Sequence, residues 1–304
     1  ILPFEVDYTA YDATHILAQL QLLFFSALAF VWLNLRGLYP PELHNTLLVD
    51  GVGPVNETPG LLENALDAGF VQSGDIQSEY AGIAHRRSFV MIDGEYVIIT
   101  DDITADDLHD YAWQIHTPVT RDSGTVEIDG NRAHWTGFDP RSDTAGTVAL
   151  DAVWAGPVDV EPMEKSRWQP FSSSPKTGSY DNWALVARQK ATDTRYATVL
   201  YPTPSGGEQP TIEMPAVEGA RCITVSNGAT RDTILALEGA SASQGKVATT
   251  ARTCVVRERN GELEWFVLSA PGTLDYGGQR VIEVSEAETG FVAIDQCFAD
   301  SDHV

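Results

Sequence analysis

The sequence predicts an all-β protein, a large antiparallel β-sandwich, on three observations. Short apolar runs recur from residue 44 onward, turn dipeptides separate them, and no helical repeat intervenes. At 304 residues and 43% hydrophobic, the chain is long and apolar enough for one large β domain or two ordinary ones. Periods of 20–50 residues are absent, which excludes a propeller or solenoid.

The elements follow in order. Residues 1–14 are polar and aromatic, with Asp7, Tyr8, Tyr11 and Asp12. Residues 15–35 carry no formal charge and have about the length of a membrane helix. Gln19, Gln21, Ser26 and Asn34 interrupt them, and Arg36–Pro41 reads as a turn. His44-Asn45-Thr46-Leu47-Leu48-Val49-Asp50-Gly51 reads as a polar opening, a short apolar strand and an Asp-Gly turn. Val90–Ile92 and Tyr96–Thr100 flank Asp93-Gly94, and Val126–Ile128 and Arg132–Thr136 flank Asp129-Gly130-Asn131. Further strand-turn-strand units read as Trp183–Arg188 with Tyr196–Tyr201, Arg252–Arg259 with Glu264–Leu268 around Asn260-Gly261, and Val281–Val284 with Gly290–Ile294. Residues 156–182 and 202–216, rich in Pro, Ser and Gly, read as long loops, with a soft boundary near Pro202–Pro215.

The formal charge is −24, from 43 acidic and 19 basic residues, few of them Lys. Nothing in that balance neutralises phosphate, so nucleic-acid binding is excluded. An acidic surface of this kind suits concentrated salt, where the Debye length falls to about 3 Å and self-repulsion is screened. Cys222, Cys254 and Cys297 form no CxxC pair, leaving either one disulfide and a thiol or three buried thiols. Gly-x-Ser-x-Gly, P-loop and dinucleotide patterns are absent. The run Asp101-Asp102, Asp106-Asp107, Asp110 lacks EF-hand spacing and reads as a solvated acidic turn. Asn56-Glu57-Thr58 fits a glycosylation sequon. The chain opens on Ile1 without a charged region and cleavage site, and reads as the C-terminal part of a longer product.

The His44–Gly51 string resembles the signature of the heparinase II/III-like polysaccharide lyases, in the C-terminal β-sandwich of that family. His85–Asp101 looks like that family's next hairpin, and His109–Pro118 like the strand after it. The likeness is good over residues 36–120. It implies a supersandwich-like fold, with residues 44–304 as the β-sandwich and residues 1–43 as a partial N-terminal segment. Residues 15–35 are then a buried strand pair or short helix packed on the sandwich, in preference to a membrane anchor. The family's N-terminal α/α toroid, which carries most of the catalytic Asn, His and Tyr, is not encoded in this chain.

The resemblance also implies chemistry: β-elimination on a uronate-containing, acidic polysaccharide, outside the cytoplasm. That reaction needs carboxylate neutralisation, a base for the C5 proton and an acid for the departing oxygen. The implied catalytic residues are His44 and His15, and the implied substrate contacts are Asn45, Arg86, His116 and Trp113. Of Arg86 and Arg87, alternation turns one inward, suited to a sugar carboxylate or to one of the many Asp residues. Tyr111 and Trp113, between His109 and His116, suit sugar stacking or a sandwich core. Some relatives hold zinc on a His-x-His-x-Asp pattern. Here His15 is followed by Leu17 and Gln19, and Leu35 or Asn34 stands where a later Asp is expected. Leu offers no donor and an amide is a poor zinc ligand, so no metal or other cofactor is expected. A non-catalytic carbohydrate-binding or structural module is the alternative.

Overall fold

The computed structural model describes residues 45–54, 61–137, 148–163, 167–168, 180–203, 207–285 and 290–295. The segment before Asn45, with His15, His44 and the uncharged run 15–35, lies outside them, as do Asn56-Glu57-Thr58 and Cys297. Every regular element among the described residues is a strand. None is a helix long and apolar enough to cross a membrane.

The first thirteen strands are β1 (Leu47–Val49), β2 (Leu61–Asp67), β3 (Val71–Tyr80), β4 (Ile83–Ile92), β5 (Tyr96–Ala105), β6 (His109–Thr120), β7 (Gly124–Asp129), β8 (Arg132–Gly137), β9 (Val148–Ala155), β10 (Asp159–Pro162), β11 (Arg167–Trp168), β12 (Tyr180–Ala191) and β13 (Thr194–Thr203). They build a five-stranded sheet in the order β1-β6-β12-β10, with β11 on β12, and an eight-stranded sheet in the order β2-β3-β4-β5-β13-β9-β8-β7. The remainder are β14 (Thr211–Glu213), β15 (Ala220–Asn227), β16 (Thr230–Leu237), β17 (Ala242–Gln244), β18 (Val247–Thr249), β19 (Thr253–Arg259), β20 (Glu262–Ala270), β21 (Gly272–Tyr276), β22 (Gln279–Val284) and β23 (Gly290–Asp295). These form a six-stranded sheet, β14-β15-β16-β19-β20-β23, and a four-stranded one, β17-β18-β21-β22.

Three apolar layers stack the four sheets in that order. Leu47, Tyr111, Trp113 and Leu185 of the five-stranded sheet pack on Met91, Val97, Trp135, Trp154 and Leu200 of the eight-stranded one. The other face of the latter, with Ile92, Ile98, Val153 and Val199, packs on Ile223, Ile234, Val255 and Val267 of the six-stranded sheet. Leu235, Val256 and Phe266 then meet Val247, Leu274 and Val284 of the four-stranded sheet. The two middle sheets are therefore apolar on both faces, which is why runs such as Val90-Met91-Ile92 show no polar alternation. Trp113, Trp135 and Trp154 are among the largest fully buried side chains. Truncating one of them to Ala would cost about 3–5 kcal/mol.

Turn chemistry sets several registers as the sequence predicts. Asp93 and Gly94 take φ of 50° and 66° between β4 and β5, and Asn260 and Gly261 take 54° and 80° between β19 and β20. Both are the left-handed conformation that hairpin turns demand. Two strand-turn-strand units are not hairpins. β12 pairs with β6, whereas its successor β13 lies between β5 and β9. Likewise β22 pairs with β21, and β23 with β20. The reason is two-faced burial. β13 is apolar on both faces, with Tyr196 and Leu200 on one and Ala197, Val199 and Tyr201 on the other, so it fits only inside a middle layer. β12 exposes Arg188 and Lys190 and stays in the outer sheet. The acidic run is not a solvated turn either. Asp101 and Asp102 belong to β5, and Asp101 is 0% exposed, while Asp106, Asp107 and Asp110 are exposed.

Candidate functional site

The start of β1 is where charged side chains converge. β1 pairs with β6 through Leu47↔Trp113 and Val49↔Tyr111. Beyond the paired residues, the Gln114 N–H donates to the Thr46 carbonyl at 2.9 Å, and the His116 N–H donates to Asn45 Oδ1 at 2.6 Å. The Asn45 side chain thus continues the ladder where the strand stops. At the other end, Asp50 and Gly51 turn the chain, and Asp50 accepts from the Asp110 N–H at 2.9 Å and pairs with His109 at 2.7 Å. Those hydrogen bonds, that of the Asp110 amide foremost, hold the exposed Asp50 carboxyl below its usual range.

Beneath Asn45 lies Asp101. Arg87 grips it with Nε at 2.6 Å and Nη2 at 3.2 Å, Trp113 Nε1 donates at 2.7 Å, and His85 Nε2 lies 2.6 Å away. The third hand of Arg87, Nη1, donates to the Asn45 carbonyl at 3.3 Å. Its guanidinium also lies 5.4 Å from the Trp113 ring centroid. Tyr80 closes the cluster: its hydroxyl donates to the Leu47 carbonyl at 2.9 Å, and its ring meets His85 edge-on. Burial by itself would raise the Asp101 carboxyl, but the Arg87 charge and the His85 contacts hold it well below the carboxylate range. Asp101 is therefore held as a carboxylate, with donor side chains of β4 and β6 gathered around it between the first two sheets.

The expected site residues divide. Asn45 and His116 come together through the amide hydrogen bond. Arg86 does not join them. It lies on the opposite face of β4 from Arg87 and pairs with Asp75 at 3.6 Å. Trp113 is 2% exposed and edge-on to Trp154 at 5.7 Å, so its ring belongs to the core and presents no stacking face. His116 lies on the other face of β6 and is half-buried. His44 and His15 fall outside the described residues. Sequence reasoning assigned no role to His85 or Asp101, nor a specific partner to Arg87. A signal was present: Asp101 shares the inward face of β5 with Val97 and Ile103, and Arg87 stands opposite it in register.

Among the described residues no three His, Cys, Asp or Glu side chains could share a metal. Both Asp101 oxygens are taken by Arg87, with Trp113 and His85 beside it. Leu17 and Gln19 supply no imidazole or carboxylate. The donor set does not fit zinc.

Residues 40–167 match the family described as Heparinase II/III-like, C-terminal. That stretch is a heparinase II/III-like C-terminal domain. A heparan sulfate lyase HepC mutant from Pedobacter heparinus is similar at 12% identity and a TM-score of 0.50, over 65% of this chain and 30% of its own. A heparinase III gene product matches at 14% identity and a TM-score of 0.47, over 71% of this chain and 30% of its own. A chondroitinase AC lyase matches at 11% identity and a TM-score of 0.36, over 80% and 40%. The chain thus spans 30% of the length of the first two lyases. No curated protein matches the sequence. In this heparinase II/III-like domain, β1 with its Asn45 and the β4–β6 strands that hold Arg87, Asp101 and His116 all lie inside the matched stretch.

Proposed function

We propose that this chain is the β-sandwich part of a lyase that cleaves a uronate-containing acidic polysaccharide by β-elimination, at the cell surface or outside the cell. In that reaction a base takes the proton at C5, the C4–oxygen bond breaks, and the departing oxygen takes a proton. The negative charge that builds on the uronate carboxylate needs fixed donors opposite it. The observation that carries this reading is the family match over residues 40–167 together with the start of β1 inside it, where Arg87 reaches the Asn45 carbonyl. On this reading His44 neutralises the sugar carboxylate, His15 assists, and Asn45 and His116 line the same wall. Helical machinery for the proton transfers would come from another part of the full product. The test is an assay of the full-length gene product on heparan sulfate, alginate and ulvan, following the absorbance of the unsaturated uronate. His44→Ala should abolish product formation while leaving the fold intact. Unchanged turnover removes His44 from the mechanism.

A second reading, a non-catalytic carbohydrate-binding module, draws on Leu17 and Gln19, which break the ligand pattern. It predicts retention on immobilised polysaccharide with no unsaturated product. Adaptation to salt is part of the same proposal. Raising KCl from 0.1 M to 1 M, which shortens the Debye length from about 10 Å to about 3 Å, should raise the melting temperature. A flat or falling response removes it.

A further inference from the structure

Buried ion pairs are weak contributors to stability, and apolar residues of equal volume often replace them without loss. The Arg87–Asp101 pair is nevertheless sunk between the first two sheets, and its remaining hand is spent on irregular backbone. Arg87 Nη1 reaches the Asn45 carbonyl, two residues before β1 begins. On the side-chain end of the same residue, the His116 N–H takes Oδ1. Because that partner is a donor, the amide orientation follows from chemistry: the oxygen faces His116, and Nδ2 is the atom left for a ligand. One peptide is thus held at its carbonyl by β4 and at its side chain by β6, and both strands are tied to the same carboxylate, β4 through Arg87 and β6 through Trp113 Nε1. A pair needed only for packing would require no contact with Asn45.

The geometry points to Asp101, acting through Arg87, as a positioning residue that sets Asn45 so that its Nδ2 donates to an anionic oxygen of the polysaccharide. This rests on the function proposed above and assigns the donor atom and its support. A primary amide suits the task because it donates without adding a charge that would trap the chain on a polyanion. Asp101 touches no ligand; it fixes the guanidinium, and the guanidinium fixes the backbone. Asp232 and Arg257, a second buried pair joined by 2.8 Å contacts, lie between the eight- and six-stranded sheets and serve as the control.

The experiment measures heparan sulfate and alginate binding by titration calorimetry, and hydrogen exchange of the peptides covering residues 45–49 and 111–116, on the full chain. Asn45→Asp keeps the acceptor for the His116 amide and removes the donor. It should weaken binding tenfold or more with exchange unchanged. The double variant Arg87→Met/Asp101→Asn removes both buried charges while keeping volume and an acceptor for Trp113. It should raise exchange in both peptides at least tenfold and weaken binding to the same degree. The control Arg257→Met/Asp232→Asn should leave both readouts at the wild-type level. Wild-type exchange in the Arg87/Asp101 variant overturns the positioning role, and wild-type binding by Asn45→Asp overturns the donor. If the unaltered chain binds neither polymer, the proposed function and the donor assignment fall together, and the exchange measurement alone decides whether Asp101 holds Asn45. If the Arg87/Asp101 variant does not fold, Arg87→Lys, which keeps the charge beside Asp101 but lacks the fork, carries the same expectations.

Discussion

Two buried charge clusters join neighbouring layers of this protein, and they are built in opposite senses. Between the first two sheets one carboxylate, Asp101, is surrounded by donors from Arg87, Trp113 and His85. Between the middle sheets one guanidinium, Arg257, is surrounded by acceptors: Asp232 at 2.8 Å, Glu95 at 3.1 Å and Asp93 at 3.2 Å. The Tyr96 hydroxyl also donates to Asp232, and the Trp265 ring lies 4.9 Å from the guanidinium. The first cluster leads by hydrogen bonds to an irregular segment at the end of a sheet. The second is closed among its own strands and a hairpin turn. Both tie two layers, but only the first is continued by hydrogen bonds into the segment that precedes β1.

The sharpest way to break the comparison is Asp101→Ala. It leaves Arg87 buried without a counter-charge and should cost about 3–5 kcal/mol in urea denaturation. Asp232→Ala should cost less, about 1–3 kcal/mol, because Asp93 and Glu95 still face Arg257. Equal losses would mean that the two clusters do not differ in their reserve of partners. Acid titration sharpens the contrast next. The Asp101 carboxyl is depressed in the folded state, so its stabilisation is fully present above the unfolded carboxylate range near pH 4 and is lost as pH falls toward the lower folded value. Stability followed by denaturation from pH 5 to pH 2 should therefore fall less steeply in Asp101→Asn than in the wild type; parallel curves would refute this. The smallest effect concerns the layer farthest from the site. Burial pushes the Cys222 and Cys254 thiols up to about 12, and the two strands that carry them flank β16, each Cys opposite Leu235. Both thiols should resist a thiol reagent at pH 8 until the chain is unfolded, whereas prompt labelling of either would show the outer layers opening locally.

Much of the fold is legible in the residues themselves. Asp93-Gly94 and Asn260-Gly261 announce hairpins because only a few residue types accept their backbone angles. The uninterrupted apolar runs of β4 and β5 announce strands buried on both faces. What escapes is which strands share a sheet. The Lys190–Thr194 turn looks like a hairpin locally, yet β12 and β13 part into different layers, since pairing is settled by which faces must be covered. At the site, the His-Asn-Thr string directs attention to the start of β1, and Asn45 is found there in contact with His116. Arg86 pairs with Asp75 and Trp113 packs into the core, each taking one of the two roles the sequence left open, because the face a residue occupies depends on register.

By itself the sequence determined the all-β class and the Asp93-Gly94 and Asn260-Gly261 turns, because these depend on contacts and backbone preferences between neighbours in the chain. Only the tertiary structure decided the four-layer order, the choice of Arg87 over Arg86 and the convergence of four donor contacts on Asp101. Those follow from desolvating charged groups that lie far apart along the chain, and that balance exists only once the sheets have closed over them.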